Sequence, residues 1–450
     1  MTIKSELEFA EKVLEKTLKA GADEVDIVLA SAFETSCGVR LGNIENIEVS
    51  ESTDIGLRVL LKGKKGYKTA NISTNSLTEQ NIDKAIYRLI ETAKSNEEDE
   101  HTKLAKESEY AKKIDDLKIY SNKEVSADTL KEWALEAEDA ALKVKGITNS
   151  EGAGAAYNNA HFILLTSKGF VGEYRTSGYT CSASVIAADD NGMETDYDYS
   201  YVHDVNDLAK PSEIGLSAAK QAVKKLSPRK IRTCKVPIVF DPKVAKSLLG
   251  VITSSINGNA IVKKSSFLSE KLGEQILPKN LSIYDNPLLP KGLSSQPFDA
   301  EGIRGENMTI VENGVLKNWI LDIRSGSKLG LQSNGRAARS VSSSPSPTST
   351  NVYLSEGERS PQEIISEIKQ GLYLTDLFGM GVNAVTGDFS QGAAGFWIEN
   401  GEIQYPVSEI TVAGKLLDMF KNMEAANDLT FRYSKNSPTI RIDNMTVAGS

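Results

Sequence analysis

Cysteine, histidine and tryptophan are scarce in this 450-residue chain, three of each. Cys37, Cys181 and Cys234 are widely spaced and odd in number, which excludes a disulfide framework and a CxxC metal knuckle. That usage fits a reducing compartment, and a cytoplasmic location is expected. His101, His161 and His203 lie too far apart in sequence for the HExxH-type pairing that holds a catalytic zinc on one helix, so each reads as structural or solvent-facing. No apolar run approaches the ~20 residues of a membrane span. The start, MTIKSELEFAEKVLEK, is charged throughout and has no signal-peptide core, so no membrane association is expected. Positive charge is in deficit as well: 52 Lys and Arg stand against 61 Asp and Glu, for a net charge of −9. Such a surface repels a phosphate backbone, and direct nucleic-acid binding is not expected. The G-x-S-x-G elbow and the GK[ST] and GxGxxG phosphate loops are absent.

What is present is an ordinary globular composition, with 40% apolar and 25% charged residues, 34 Gly and 13 Pro. Leu7, Ala10, Leu14 and Leu18 form a helical stripe closed by Gly21. Alternating runs then predict a strand meander with a hairpin at Gly63 to Gly66. Ser76 and Glu79 form a capping-box pattern ahead of the amphipathic set Ile82, Ala85, Ile86, Leu89, Ile90 and Ala93. The mixed-charge run SNEEDEHTKLAKESEY reads as a solvated loop without chemistry. A third helix runs from Leu130 to Val144, strands occupy Ile147 to about Val202, and Pro211 opens a fourth helix.

The basic, proline-flanked SPRKIRTCKVP marks a boundary near Lys230. Beyond it come a strand over Val236 to Phe240, an Asp241-Pro242 helix start, and two Asn-Gly hairpin signals in VENGVL and IENGEI. The chain therefore reads as α+β: residues 1–230 form an N-terminal domain of helices on antiparallel strands, and 231–450 a mostly antiparallel β-rich domain. Gly379, Gly381, Gly387, Gly392 and Gly395 read as turns and bulges. Asp299 and Glu301, two apart, would share one side of a strand and suit acid/base work or a cation. Arg336 and Arg339 have the planar geometry to clamp a carboxylate. By composition, Ser340 to Thr350 looks like a flexible linker.

Several long motifs occur in order: LSIYDNPLLPKGLSSQPFDAEGIRGENMTIVENGVLKNWILD, SGSKLGLQSNGRAAR, and GLYLTDLFGMGVNAVTGDFSQGAAGFWIENGEIQYPVSEITVAGKLLDMF. Together they resemble the TldD/PmbA family, from about Val236 to the terminal MTVAGS, and the order of first-half elements is compatible. The resemblance implies a peptidase of two related subunits acting on unfolded or small peptides, with zinc held by a TldD-like subunit through an HExxxH helix. Set against that motif without gaps from Ser265, Ser266 and Phe267, this chain carries Leu249, Gly250 and Ser254, none of which binds zinc. The family's cysteine near the C-terminus is also missing after Asp428.

The chain thus resembles the PmbA (TldE) type: no cofactor of its own, and zinc expected in the TldD-type partner. The resemblance also places Ser340 to Thr350 inside the folded domain. Family members are labelled modulators of DNA gyrase, a label the acidic charge makes indirect. Candidate substrate-wall residues are Asp299, Glu301, Arg336, Arg339 and Asp388, with no catalytic or metal-binding residue in this chain. An edge strand of the second domain is the expected backbone docking site for the partner or an extended peptide. Two alternatives stay open. The chain is itself a hydrolase, with Asp285, Asp299 and Glu301 as a metal set or with a serine nucleophile, or it is a homodimeric peptide-binding protein.

Overall fold

The computed structural model describes residues 3–449. Helix α1 (Ile3–Lys19) ends ahead of Gly21, whose φ of +105° is left-handed geometry that glycine tolerates. There follow β1 (Glu24–Arg40), β2 (Asn43–Lys62), β3 (Tyr67–Thr74), α2 (Glu79–Ser95), β4 (Glu98–Asp99), α3 (Ala127–Leu142), β5 (Ile147–Thr166), β6 (Val171–Asp189), β7 (Gly192–Val202) and α4 (Pro211–Lys224). The strands form one antiparallel sheet in the order β4-β3-β2-β1-β5-β6-β7. The capping-box expectation fails at α2. Its N-cap is Thr78, without a side-chain bond, because Ser76 Oγ is taken by the Asn81 amide at 2.6 Å.

Side chains alternate across a strand, so each strand serves two faces. Val25, Ile27 and Leu29 of β1 and Ile55, Leu57 and Val59 of β2 face α1 and α2, while Cys37, Val39 and Cys181 lie beneath α3 and α4. The opposite face offers Val28 and Leu164 to Tyr110, Phe170, Phe298 and Ile323, and the last two belong to the second half of the chain.

The second half opens with β8 (Cys234–Phe240) and α5 (Pro242–Ser255), whose N-cap Asp241 accepts from the Lys243 N–H at 2.8 Å as the sequence implied. Strand Gln370–Phe378 pairs with β8 in parallel; then come Ile440–Ala448, Glu402–Lys415 and Asp388–Glu399, which pairs back to Gln370–Phe378. These five strands close a ring, so open strand edges in the second half lie in its smaller sheets, one of which ends on Val315–Leu316 and Lys435–Asn436. The long open edge lies in the first sheet, where β2 outruns β3 and residues 43–54 have only β1 as partner among the described residues. Both Asn-Gly turns form as expected, with Asn313, Gly314, Asn400 and Gly401 all at positive φ. The serine-rich stretch is ordered: Ser346–Pro347 pairs with Ala337–Ala338, and Ser344 Oγ reaches Asn71 Oδ1 on β3 at 2.8 Å.

That stretch is why position 56 is glycine. A Cβ at Gly56 would stand 1.9 Å from the Val341 carbonyl oxygen, so any side chain on β2 here lifts the second half off the first sheet. Gly56→Ala is expected to cost about 1–3 kcal/mol of unfolding free energy, read as a fall of several degrees in the thermal midpoint. An unchanged midpoint would mean that residues 340–345 do not rest on β2.

Candidate functional site

Asp26 and Arg58 face each other across the β1–β2 ladder, on the side of the sheet away from the helices. Each interrupts an apolar strand, VDIVL and LRVLL. Arg58 Nε donates to Asp26 Oδ2 at 2.7 Å, its Nη2 donates to the same oxygen, and Arg339 Nη1 donates to Asp26 Oδ1 at 2.6 Å. Burial alone would raise the Asp26 carboxyl, but the Arg339 and Arg58 charges outweigh it and hold the group below the usual carboxylate range.

Beside this junction the turn at 299–303 is organised by Asp299. Its Oδ1 accepts the N–H groups of Glu301 and Ile303, both at 2.9 Å, and its Oδ2 accepts that of Ala337 at 3.0 Å. Burial still pushes the Asp299 carboxyl up to about 6. Glu301 Oε2 accepts the Ile323 N–H at 2.8 Å at the start of helix Ile323–Lys328, which Asp322 caps through the Ser325 N–H at 2.7 Å. Burial, and then the charges of Asp299 and Asp322, push Glu301 well above its ordinary value.

Arg58, Glu301 and Asp322 form the floor of a cavity of about 560 Å³ between the first sheet and the second half. Its wall includes residues 96–103, part of the run read as a solvated loop without chemistry. That reading is corrected here: Leu104, Ala105 and Tyr110 are buried, His101 Nδ1 lies 3.0 Å from Ser327 Oγ, and Asp99 pairs with Arg324 at 2.6 Å. Charge in the run serves tertiary contacts that a local reading does not register.

Of the expected wall residues, Asp299, Glu301 and Arg339 come together around this junction. Arg336 is a fully buried strut, donating to Asp285 Oδ2 at 3.1 Å and to the carbonyls of Asp285, Glu306 and Asn334. Asp388 is exposed, paired with Lys415 and Thr386 at the start of its strand. Asp285 accepts from Arg336 and Thr350, so it does not join Asp299 and Glu301 in one ligand set. Among the described residues no group of three or more His, Cys, Asp or Glu side chains is placed to hold a metal. His161 bridges Glu6 and Glu173 at 2.9 and 3.0 Å, and His203 Nδ1 donates to the Ser177 carbonyl at 2.6 Å.

The zinc-helix positions implied by the resemblance lie on α5. Leu249 is buried in the core, Gly250 offers no side chain, and Ser254 Oγ donates to the Val251 carbonyl at 2.9 Å. These residues do not fit a zinc ion. A Cβ at Gly250 would meet only the Lys435 stem, 4.0 Å away. One turn earlier on the same face, Lys246 Nζ lies 3.2 Å from the centroid of the Tyr433 ring. Burial, with Lys243 and Arg432 nearby, pushes this lysine down to about 8.

Asp26→Asn is expected to destabilise by about 3–5 kcal/mol, the cost of leaving buried guanidiniums without their counter-charge, and a thermal melt checks it. Glu301 behaves oppositely. Its folded-state pKa lies above the unfolded one, so in the window between them the folded state holds more protons and stability falls as pH rises. Glu301→Gln, which needs no proton and still accepts the Ile323 N–H, should melt above the parent at pH 8, with the gap closing toward pH 4.5. A gap that widens on acidification would contradict the assignment.

Comparison with known proteins places this geometry in a family. Three family models match in order: PmbA/TldA metallopeptidase domain 1 over residues 25–96, the central domain over 120–226 and the C-terminal domain over 233–449. The Metalloprotease PmbA homolog of Haemophilus influenzae is 37% identical over 97% of this chain and 94% of its own length. Metalloprotease PmbA of Escherichia coli O157:H7 is 35% identical over 100% and 99%. A crystal structure from Bacteroides thetaiotaomicron VPI-5482, under the provisional name of a modulator of DNA gyrase, superposes with a TM-score of 0.89 at 28% identity, covering 100% of both chains. The chain belongs to the TldD/PmbA metallopeptidase family.

Proposed function

We propose that this chain is the subunit without its own zinc site in a heteromeric TldD/PmbA-type peptidase, and that it helps a zinc-bearing TldD-like subunit degrade or process unfolded or small peptides. The observation that carries the reading is the face of α5, where Leu249, Gly250 and Ser254 supply no ligand and Lys246 and Lys435 bring positive charge. Positive charge beside the helix opposes a divalent cation rather than holding one. The zinc chemistry, activating a water and polarising a peptide carbonyl, then belongs to the other subunit. The division into residues 1–230 and 231–450, a cytoplasmic location, the absence of direct nucleic-acid contact and a homodimeric state in isolation belong to the same proposal. No described helix is long and apolar enough to cross a membrane.

A second reading, a chain with metal-dependent activity of its own, is favoured by one observation: the Haemophilus influenzae and Escherichia coli relatives carry the name metalloprotease. Mass-spectrometric cleavage of an unstructured peptide mixture separates the two, using the purified chain alone and with its zinc-bearing relative, each with and without chelator. Cutting only by the mixture, abolished on chelation, is expected. Cutting by the chain alone would overturn the proposal.

A further inference from the structure

Three buried ionisable side chains meet at the floor of the 560 Å³ cavity: Arg58, whose guanidinium is held by Asp26, and the carboxyls of Glu301 and Asp322. Arg58, Glu301 and Asp322 are 5%, 7% and 2% exposed. Each leaves one polar atom without a hydrogen bond among the described residues: Arg58 Nη1, Glu301 Oε1 and Asp322 Oδ2. All three side chains line the cavity. These atoms are open to the cavity on side chains that are otherwise buried, so a polar ligand seated there meets donors and acceptors held in fixed positions. On the rim, Asp99 is already neutralised by Arg324, and Lys328 and His101 face the same space.

We infer that this cavity seats a primary ammonium group carried next to a carbonyl, the arrangement at the amino-terminus of a peptide. The ammonium donates to Glu301 Oε1 and Asp322 Oδ2, and Arg58 Nη1 donates to the carbonyl of the first residue. A divalent cation suits the floor less well, because Arg58 holds a fixed positive charge there. A carboxylate ligand would meet two carboxyls and one free guanidinium donor. Burial and the charges of Asp299 and Asp322 favour the protonated form of Glu301, whereas a bound ammonium favours the ionised form, so binding draws the carboxyl toward proton release. The volume lies in the range of small-ligand pockets and admits a few residues. The inference rests on the proposed function only for the peptide nature of the ligand.

Isothermal titration calorimetry of the full chain at pH 7 tests it, with trialanine, N-acetyl-trialanine and free alanine as probes in two buffers of different ionisation enthalpy. Trialanine should bind with a heat that differs between buffers in the sense of proton release, and N-acetyl-trialanine at least tenfold more weakly. Glu301→Gln should weaken trialanine at least tenfold and remove the buffer dependence, and Asp322→Asn, which still caps its helix, should weaken it as well. Equal binding of the acetylated peptide, no binding of trialanine, or a buffer-independent heat would overturn the inference. Free alanine binding as tightly as trialanine would overturn the assignment to a peptide terminus. These titrations need neither metal nor partner, so their failure is separate from failure of the cleavage experiment.

Discussion

The two halves of the molecule meet on Asp26. A carboxylate this deep in a sheet is stable only when its charge is answered at close range, and the answer comes from both sides: Arg58 on the neighbouring strand and Arg339 from the second half. Much else follows from satisfying that one group. Gly56 must lack a side chain so that residues 340–345 can approach, and the turn at Asp299 and the capped helix at Asp322 settle beside the pair. A second ionic junction repeats the device at the far edge of the sheet. There Asp196 on β7 pairs with Lys225 at 2.9 Å and Lys243 at 3.1 Å, and Lys225 also reaches Asp376 at 2.8 Å.

Most of the fold was legible because its signals are local. The stripe of α1, the Asp241-Pro242 start of α5 and the two Asn-Gly turns depend on residues within a few positions of one another. The start of α2 was misread because a capping-box spacing says nothing of Asn81 occupying the Ser76 hydroxyl. Ring closure in the second half was invisible because it is a long-range pairing, Gln370–Phe378 with Asp388–Glu399, that alternation cannot register.

The site was legible in part. Asp299, Glu301 and Arg339 were singled out on their chemistry, and the fold does bring them together, although Asp299 and Arg339 act as internal ties. Asp26, Arg58 and Asp322 were missed. The signal for the first two was present, a charged residue inside each of two apolar strands, but it gains meaning only once the strands are known to pair at those positions. For the charge run at 95–110 composition pointed to solvent, whereas Asp99 and His101 are spent on contacts more than two hundred residues away.

The proposed division of labour with a TldD-like subunit turns on α5, where a glycine, a core leucine and a self-satisfied serine stand beside two lysines. Metal stoichiometry tests it most directly. Native mass spectrometry of the chain alone and of its complex with the zinc-bearing relative, both prepared with zinc present, should give zinc only in the complex, one ion per heterodimer. Stoichiometric zinc on the isolated chain would contradict the account.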